Sequence, residues 1–600
     1  MEKKQYEELS KEQLIEILHH KNKVLKDVKY GLVWDKEKEK EEVVLDCENN
    51  LPVIESIIEK DILNNDKFEN ILIQGDNFHS LSVLNYTHEG SIDMIYIDPP
   101  YNTLSQGFIY NDKLIDINDG YRHSKWLNQI EKRLLLARNL MKESASIFIS
   151  IDDNEFAQLK LLCDSIFGES NFIACLPTVM NLKGNQDEYA FAGTHEYTLV
   201  YTKNKMTSTF FQFNLDDKEL DSWLEDDKGY YKKGATLKST GADSPREKRP
   251  NMFYPILVEG DAAHSISKED YEGIYSDGQF NDDCLDEIIE KYKKLGFDVV
   301  LPYTRDGNYA RWRWAYETVN SNLDEIIVTR PKDDVSLYKK QRPSIGDLPS
   351  RKPKTIFYKP EYSSGNGTSQ LFELFGEKVF DNPKPLQLIK DFIQLGADKE
   401  DSIILDFYAG SGTTGHAILE INSEDGGNRR FILCTNNENN ICDNVTYPRL
   451  QKVINGYKST SGNTITGLES NLKFYKTGFV KKDRNRDQMK IDITSKCTEL
   501  LCLKRGTFTL EHAKDNYKHF TNIKSSSRTF IFYDFLYDIE EYNDFVEYVN
   551  SYDGEKYIYI FSFDNNIDIS LFKDDGNCYF EPIPEKILDI YKSLETLVRG

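Results

Sequence analysis

The feature that most constrains the fold is a short apolar run, Met94 to Ile97, that stops at Asp98-Pro99-Pro100-Tyr101. Its length and its β-branched residues predict a buried strand. Neither proline has an amide hydrogen to donate, so neither can continue a central sheet, and the strand ends at Asp98. Because ligands of open α/β sheets bind at the carboxyl ends of strands, Asp98 and Tyr101 are candidate functional residues. The alternative interpretation is an ordinary strand end with a capping aspartate.

The residues before this run predict a parallel sheet. A second apolar run, Ile71 to Gln74, ends just before Asp76-Asn77, and the pattern from Phe78 to Leu84 predicts a helix. Strand–helix–strand order is typical of parallel α/β domains. Asp76 has two interpretations that the sequence leaves open. It either accepts a hydrogen bond from a nucleoside ligand or caps the helix.

A second strand end carries a glycine-rich turn. The predicted strand Ile403 to Asp406 is followed by Gly410, Gly412 and Gly415 at the G-x-G-x-x-G spacing of nucleotide-binding turns. Glycines let the backbone approach a ligand closely, and the following helix N-terminus presents free amides. Phe407 can pack on the methionyl or adenosyl part of a cofactor. The turn by itself fits either an AdoMet site or a nicotinamide dinucleotide site.

Length and composition limit the class of protein. The 600 residues exceed one core and predict two to four domains. A net charge of −25 argues against a protein that coats nucleic acid by bulk electrostatics. The nine cysteines form no C-x-x-C pair, which predicts reduced core thiols and no zinc site. Paired Asp152 and Asp153 stand at a predicted helix start, where capping is favoured over a metal site, so no metal is expected. No apolar run is long enough to span a membrane and no signal segment is visible, which predicts a cytoplasmic protein with no membrane partner.

Residues 205–375 differ from the rest of the chain. Apolar periodicity weakens there, and basic residues alternate with aromatic ones. Cations that hold phosphates, polar groups that contact base edges and rings that stack on bases are what a nucleic-acid surface needs. The alternative is an irregular insertion with a solvated basic face. The candidate DNA-binding residues are Lys232, Lys233, Lys238, Arg246, Lys248, Arg249, Arg311, Arg313, Lys339, Lys340 and Arg342.

The two motifs together resemble a known family. The Asp98–Tyr101 motif followed later by Asp406–Gly412 resembles the signature of AdoMet-dependent amino-methyltransferases of DNA, in the order of the permuted β class. Other segments and the overall length are similar to the Mod (modification) subunits of type III restriction–modification systems. These segments are Gly75-Asp76-Asn77, Tyr110-Asn111-Asp112, Phe148 to Glu155, His195-Glu196-Tyr197 and Asn436 to Asn440.

The resemblance implies an α/β fold: a Rossmann-like methyltransferase domain, circularly permuted, with an inserted target-recognition domain and a small α+β C-terminal domain. The expected parts are an N-terminal helical arm (1–60), a catalytic half (61–204), a DNA-binding insert (205–375), an AdoMet-binding half (376–456) and a C-terminal interaction domain (457–600). The implied partners are double-stranded DNA with a flipped target base, a second copy of the chain and a separate helicase–nuclease restriction subunit.

The resemblance also implies roles for individual residues. The catalytic group is Asp98, Pro99, Pro100 and Tyr101. The group expected to hold S-adenosyl-L-methionine (AdoMet) is Asp76, Asn77, Asp98, Lys384, Asp406, Phe407, Ala409, Gly410, Ser411, Gly412, Thr413, Thr414, Asn436 and Glu438.

The chemistry of the first group fits methyl transfer to an exocyclic amine. The Asp98 carboxylate and the Pro99 carbonyl can accept hydrogen bonds from the amine, and Tyr101 can stack on a flipped base. Aspartate at position 98 favours adenine N6 over cytosine N4 as the acceptor. The function expected is site-specific adenine-N6 methylation within a type III system. The alternatives are a solitary or cytosine-N4 methyltransferase, a non-catalytic AdoMet-sensing DNA reader, and a nucleotide-dependent oxidoreductase that would leave Pro99, Pro100 and Tyr101 without a role.

Overall fold

The computed structural model describes residues 34, 41–64, 68–103, 122–184, 190–215, 220–331, 334–343, 349–397, 399–482, 485–522, 527–536, 538–573 and 576–599. Most of the expected N-terminal helical arm and the segment Tyr110-Asn111-Asp112 lie outside these residues. The chain forms two compact units, one made of residues 1–211 and 354–600 and the other of residues 212–353. The smaller unit lies within the insert expected at 205–375, and the residue roles assigned to that insert stay a prediction.

The first segment of the larger unit alternates strands and helices. Its strands are short apolar runs, as the sequence predicts, and Ile95, Ile97, Ile147 and Ile149 are fully buried. In chain order the elements are α1 (Glu42–Asn49), β1 (Asn50–Ser56), β2 (Glu69–Gln74), α2 (Asn77–Thr87), β3 (Ile92–Ile97), α3 (Arg122–Leu140), β4 (Met141–Ile151), α4 (Phe156–Phe167), β5 (Phe172–Val179) and β6 (His195–Thr202).

The smaller unit has a core of its own, in which Tyr254, Trp312 and Tyr316 are buried. Its strands form small antiparallel sheets, the largest with the order β15-β16-β9-β8. The elements are β7 (Phe213–Asn214), β8 (Leu224–Asp226), β9 (Gly229–Thr236), β10 (Ile256–Glu259), β11 (Ala262–Ser265), α5 (Lys268–Ile274), β12 (Tyr275–Ser276), β13 (Gln279–Phe280), α6 (Asp282–Lys294), β14 (Asp298–Val300), α7 (Tyr316–Asn320), β15 (Ile326–Thr329), β16 (Ser336–Gln341) and β17 (Ser350–Arg351).

The second segment of the larger unit completes its main sheet and adds a smaller one. The elements are α8 (Ser364–Phe375), α9 (Leu386–Gly396), β18 (Ile403–Asp406), α10 (Thr413–Asp425), β19 (Arg430–Thr435), α11 (Tyr447–Asn455), β20 (Gly456–Lys458), β21 (Thr464–Thr466), β22 (Asn471–Lys481), α12 (Arg486–Ser495), α13 (Thr498–Arg505), β23 (Thr509–Ala513), β24 (Tyr517–Thr521), β25 (Arg528–Phe532), α14 (Ile539–Asn550), β26 (Lys556–Phe561), β27 (Cys578–Ile583) and α15 (Glu585–Arg599).

The main sheet has nine strands in the order β1-β22-β2-β19-β18-β3-β4-β6-β5. The strands from β22 to β4 are parallel to one another, while β1 and β6 run antiparallel to their neighbours. Strands β18 and β19, which come late in the chain, lie between β2 and β3. The carboxyl ends of β3 and β18 are therefore adjacent, where an open α/β sheet binds its ligand. This topology confirms the predicted permuted, Rossmann-like fold.

The C-terminal residues form a five-stranded mixed sheet, ordered β23-β24-β25-β26-β27. This region is α+β, as predicted, and it packs on the same core as the main sheet. Strand β22 pairs with β2 inside that sheet, and the Tyr591 hydroxyl in α15 donates to the Pro52 carbonyl oxygen of β1. None of the described helices combines the length and the apolar character that a membrane crossing requires.

Candidate active site

The loop after β3 is held from both sides. Asp98 follows the last residue of the strand, and the Trp126 indole Nε1 donates to the Pro100 carbonyl oxygen over 2.7 Å. Asn102 has a positive φ of 57° and its side chain donates to the Glu155 carboxylate. Glu155 has a fully buried side chain and also contacts His123 Nδ1 at 2.7 Å. These contacts fix the backbone on which Asp98 is displayed.

Asp98, Tyr101, Glu196 and Lys384 form one hydrogen-bonded cluster. The Tyr101 hydroxyl donates to Asp98 Oδ1 over 2.7 Å, and Lys384 Nζ donates to the Tyr101 oxygen over 2.6 Å. The same ammonium lies 3.2 Å from Asp98 Oδ1 and 2.9 Å from Glu196 Oε2. One lysine therefore faces two carboxylates.

Burial and charge set the protonation states in this cluster. Burial opposes the charged form of Lys384, but Asp98 and Glu196 raise its pKa above the usual value, so the ammonium form persists. Burial and the neighbouring carboxylates raise the pKa of Tyr101 well above its usual value. Tyr101 is therefore a neutral phenol at physiological pH, which is the form that donates to Asp98.

The glycine-rich turn is built around a buried aspartate. Asp406 at the end of β18 accepts hydrogen bonds from the Tyr408 amide (3.0 Å) and from the Thr414 hydroxyl (2.6 Å). Gly410 and Gly412 have φ values of 49° and 78°, in the left-handed region that glycine adopts without strain. The turn leads directly into α10, so the first amides of that helix face the end of the sheet.

Both motifs line one cavity of about 370 Å³. Of the predicted site residues, its lining contains Asp98, Pro99, Pro100, Tyr101, Lys384, Asp406, Ala409, Gly410, Ser411, Thr413 and Thr414. The rest of the predicted cofactor group lies outside this lining: Asp76, Asn77, Phe407, Gly412, Asn436 and Glu438. The cavity therefore joins the catalytic motif to the glycine-rich turn, as the resemblance implies.

Asp76 and Asn77 have structural contacts at the start of α2. Asp76 caps α2, because its carboxylate accepts from the Phe78 amide over 2.7 Å, which is the structural alternative that the sequence left open. The Asn77 amide donates to the Phe407 carbonyl oxygen over 3.1 Å, and its oxygen accepts from Arg133. Asn77 thus ties the catalytic half of the fold to the turn.

The residues present fit AdoMet. The turn offers backbone amides, the hydroxyls of Ser411 and Thr413, and the apolar side chain of Ala409 to one cavity. At the end of the next strand, the buried Oδ1 atom of Asn436 has no hydrogen-bond partner among the described residues. A buried acceptor without a partner is rare in proteins, and this one belongs to a residue expected to bind the cofactor.

Comparison with known proteins identifies the family. The profile of the N6/N4 DNA methylase family, described as "DNA methylase", matches residues 92–446, more than half of the chain. The chain belongs to this family. The matched stretch of the methylase contains both the Asp98 motif and the glycine-rich turn, so the predicted family is confirmed.

The methylase has relatives of two kinds. It is 40% identical over 400 residues to the type III restriction–modification enzyme EcoPI Mod subunit of Escherichia phage P1, covering 62% of this chain and 58% of the relative. It is 34% identical to the type II methyltransferase M.KpnI of Klebsiella pneumoniae, covering 66% and 85%. The StyLTI Mod subunit of Salmonella typhimurium is 30% identical, with 72% and 63% covered. The alignment thus spans less than two thirds of the matched Mod subunits.

Solved structures give weaker similarity to the methylase. An M1.HpyAVI–SAM complex is 11% identical with a TM-score of 0.27 and covers 64% of this chain and 97% of its own. The PvuII DNA methyltransferase (cytosine-N4-specific) is 11% identical with a TM-score of 0.31 and covers 68% and 100%. The assignment rests on the family profile and the relatives in sequence, because TM-scores this low carry no argument.

The predicted DNA-binding cations of the methylase fall into three groups. One group already has carboxylate partners in the same unit: Arg246 pairs with Asp282, Lys340 with Asp226, and Arg342 with both Asp226 and Glu325. The second group is hydrogen-bonded to the backbone: Arg311 donates to the Asp243 carbonyl oxygen and Arg313 to the Lys238 carbonyl oxygen. The third group has no ion pair among the described residues: Lys232, Lys233, Lys238, Lys248, Arg249 and Lys339. Cations of this third group are the better candidates for phosphate contacts, because no internal pair must break first.

Sequence reasoning left out three residues of the site. Glu196 stands within a segment that resembles the family, but it received no role. Glu155 ends another segment that resembles the family and also received no role, and Trp126 received none. A signal was available for Glu196, since a carboxylate at the start of an apolar strand needs a partner when it is buried.

Proposed function

We propose that this methylase transfers a methyl group from AdoMet to adenine N6 in double-stranded DNA. The observation that supports it most is the shared cavity: Asp98 and Tyr101 on one side, and the glycine-rich turn from Ala409 to Thr414 on the other. A two-substrate displacement needs the acceptor and the donor in one enclosed place.

Asp98 prepares the acceptor in this proposal. The lone pair of an adenine amine is delocalised into the ring, which makes the nitrogen a poor nucleophile. A carboxylate that accepts a hydrogen bond from the amine favours the pyramidal form, in which the lone pair is available. The Asp98 side chain is 29% exposed, so a flipped base can reach it. The methylated nitrogen is acidic and loses its proton to water, so Asp98 need not be a strong base.

Lys384 exchanges one contact when the base enters. In the structure its ammonium occupies Asp98 Oδ1, the acceptor that the amine requires. The ammonium also donates to Tyr101 and Glu196. The Glu196 carboxylate balances its charge after Asp98 is released to the amine. AdoMet, when bound, supplies a methyl group activated by a positively charged sulfur. Asp406, Phe407, Ala409 to Thr414, Asn436 and Glu438 would hold it. Asp76 and Asn77 would support that group, and Lys384 acts beside the acceptor.

We further propose that the methylase is the modification and recognition subunit of a type III system. Several relatives bear the name of type III Mod subunits, which supports this assignment. In this proposal residues 205–375 choose the DNA sequence, a second copy of the chain completes a homodimer, and residues 457–600 serve interactions. A separate helicase–nuclease subunit would then carry out cleavage.

A second candidate is a solitary methylase. The alignment with the type II methyltransferase M.KpnI covers 85% of that relative, more than for the matched Mod subunits. Purification of the tagged chain from its own host distinguishes the two candidates. A helicase–nuclease polypeptide in stoichiometric amount supports the type III assignment, and a preparation without one, active on its own, supports the solitary methylase.

The activity itself is tested by product analysis. The full chain is incubated with AdoMet labelled in the methyl group and mixed-sequence duplex DNA, and the DNA is digested to nucleosides. Label in N6-methyl-2′-deoxyadenosine supports the proposal. Label in N4-methyl-2′-deoxycytidine would show that cytosine N4 is the acceptor. AdoMet binding without any transfer would leave a cofactor-sensing DNA reader instead. Methylome sequencing of a host that expresses the chain then gives the recognition sequence.

A further inference from the structure

A buried arginine lies directly under the glycine-rich turn. Arg449 in α11 has a relative exposure of 0%, and its Nη1 atom donates to three oxygens of the turn. The acceptors are the Ser411 carbonyl oxygen (3.3 Å), the Ser411 hydroxyl (3.2 Å) and the Thr413 hydroxyl (2.8 Å). Its Nη2 atom donates to Gln370 Oε1 over 3.1 Å. Every one of these partners is neutral.

No carboxylate forms an ion pair with Arg449 among the described residues. Glu420 acts on Arg449 only at longer range, because its two oxygens are taken by His416 Nε2 (3.2 Å) and Lys390 Nζ (3.1 Å). The His416 ring lies between Glu420 and Arg449, with its Nδ1 atom 3.3 Å from Arg449 Nη2. Burial lowers the pKa of Arg449 to about 9, so the guanidinium is still positive at neutral pH. A buried cation without an anion is costly. The other fully buried arginine beside this site, Arg133, does have carboxylate partners, Glu41 and Asp76.

The hydroxyls of Ser411 and Thr413 lie between Arg449 and the cavity. Ser411 and Thr413 both line it, at the N-terminus of α10, where helix amides add partial positive charge. A guanidinium only donates hydrogen bonds, so both hydroxyl oxygens act as acceptors towards Arg449. The two oxygens lie 3.2 Å apart, and one hydroxyl hydrogen can bridge them. At least one hydrogen is then left to donate to a ligand anion.

We propose that Arg449 is a positioning residue that, through Ser411 and Thr413, builds the subsite for the α-carboxylate of the methyl donor. The inference rests on the AdoMet dependence proposed above. The carboxylate is the only anionic group of AdoMet, and it would supply the missing counter-charge on the cavity side of the turn. Arg449 does not itself line the cavity, so its charge acts through the two hydroxyls.

The test compares two ligands that differ only in this carboxylate. Isothermal titration of the full chain with S-adenosylhomocysteine and with its decarboxylated analogue gives a ratio of dissociation constants. In the wild type we expect the carboxylate to strengthen binding on the order of 10–100-fold, as for hydrogen bonds to a charged group. In Arg449→Met the ratio falls to about one to three, because a neutral side chain no longer polarises the hydroxyls. Arg449→Lys keeps the charge and retains an intermediate ratio.

Two further variants separate this role from a purely structural one. Arg133→Met removes a second buried arginine, one that has carboxylate partners. It should weaken both ligands equally and leave the ratio unchanged. If Arg449→Met does not fold, as judged by circular dichroism, the double variant Ser411→Ala/Thr413→Val provides the test, since it removes the hydroxyls and leaves Arg449 in place. Its ratio should also fall to about one to three.

The possible failures are distinguishable. A wild-type protein that binds both ligands equally overturns the carboxylate subsite but leaves the proposed methyl transfer intact. A ratio in Arg449→Met that equals the wild-type ratio overturns the role of Arg449. Failure of the wild type to bind S-adenosylhomocysteine at all would overturn the AdoMet dependence, and this inference with it.

Discussion

The two walls of the cavity are opposite in charge. The aspartate wall (Asp98, Tyr101, Glu196 and Lys384) has two carboxylates that share one lysine. The glycine wall (Asp406 to Thr414, with Arg449 behind it) has a buried guanidinium that forms no ion pair among the described residues, and its only carboxylate, Asp406, is engaged by the Tyr408 amide and the Thr414 hydroxyl. The aspartate wall is therefore arranged to accept hydrogen bonds and the glycine wall to donate them. An amine fits the first wall and a carboxylate-bearing cofactor the second.

The largest effect is expected on the aspartate wall. Asp98→Ala removes the acceptor for the target amine and should lower kcat by on the order of 10²–10⁴-fold, with little change in the dissociation constant of S-adenosylhomocysteine. Single-turnover methylation and titration calorimetry measure the two quantities. Asp153→Ala, at an exposed carboxylate on the loop after β4, is the matched control and should retain kcat within about twofold. Substantial turnover by Asp98→Ala would remove Asp98 from the mechanism.

Loss of the shared lysine should give the next largest effect. Lys384→Met leaves two carboxylates facing each other without a cation and should cost about 3 kcal/mol in free energy of unfolding. Mutual repulsion raises the carboxylate pKa values, so the acidic limb of the kcat profile should move to higher pH. Urea denaturation and a pH–rate profile check these outcomes.

Two variants control for the loss of Lys384. Lys390→Met removes another lysine of low exposure, which pairs with Glu420 and Glu424 away from the cavity. It should lower stability without moving the pH profile. Adding Glu196→Gln to Lys384→Met should recover part of the lost stability. An unshifted profile in Lys384→Met would contradict the charge balance assigned to the aspartate wall.

Within any one pH unit, the smallest effect expected is the change of stability with pH caused by Asp406. Burial raises the pKa of Asp406 from 3.8 to about 7, so the folded protein keeps a proton that the unfolded chain releases. Asp406 therefore makes stability decrease as pH rises from about 4 to about 7, by at most about 1.4 kcal/mol per pH unit. Asp406→Asn can keep the contacts to Tyr408 and Thr414 and should flatten this part of the profile. Asp153→Asn should leave the slope unchanged, and an equal slope in Asp406→Asn would show that Asp406 is already ionised.

The sequence predicted the motifs of both walls but not their support. Asp98, Tyr101 and the turn could be found because each motif follows a short apolar run, and a strand with a Pro-Pro or glycine-rich end is a local pattern. Glu196 and Lys384 were harder to place, because their contact joins residues 188 positions apart. The predicted DNA-binding group shows the same limit. A cation such as Arg342 looks free in the sequence until Asp226 is placed beside it by folding.

The sequence by itself determined where the strands of the main sheet end and which side chains stand at those ends. These features depend on residues close in sequence: the apolar periodicity, prolines that lack an amide hydrogen and glycines that adopt positive φ. The tertiary structure alone decided that β18 and β19 enter the sheet between β2 and β3, which brings Asp98 and the glycine-rich turn to one cavity. It also decided which charges are compensated. Lys384 meets two carboxylates and Arg449 meets none, because burial and packing, not sequence proximity, choose the partner of a buried charge.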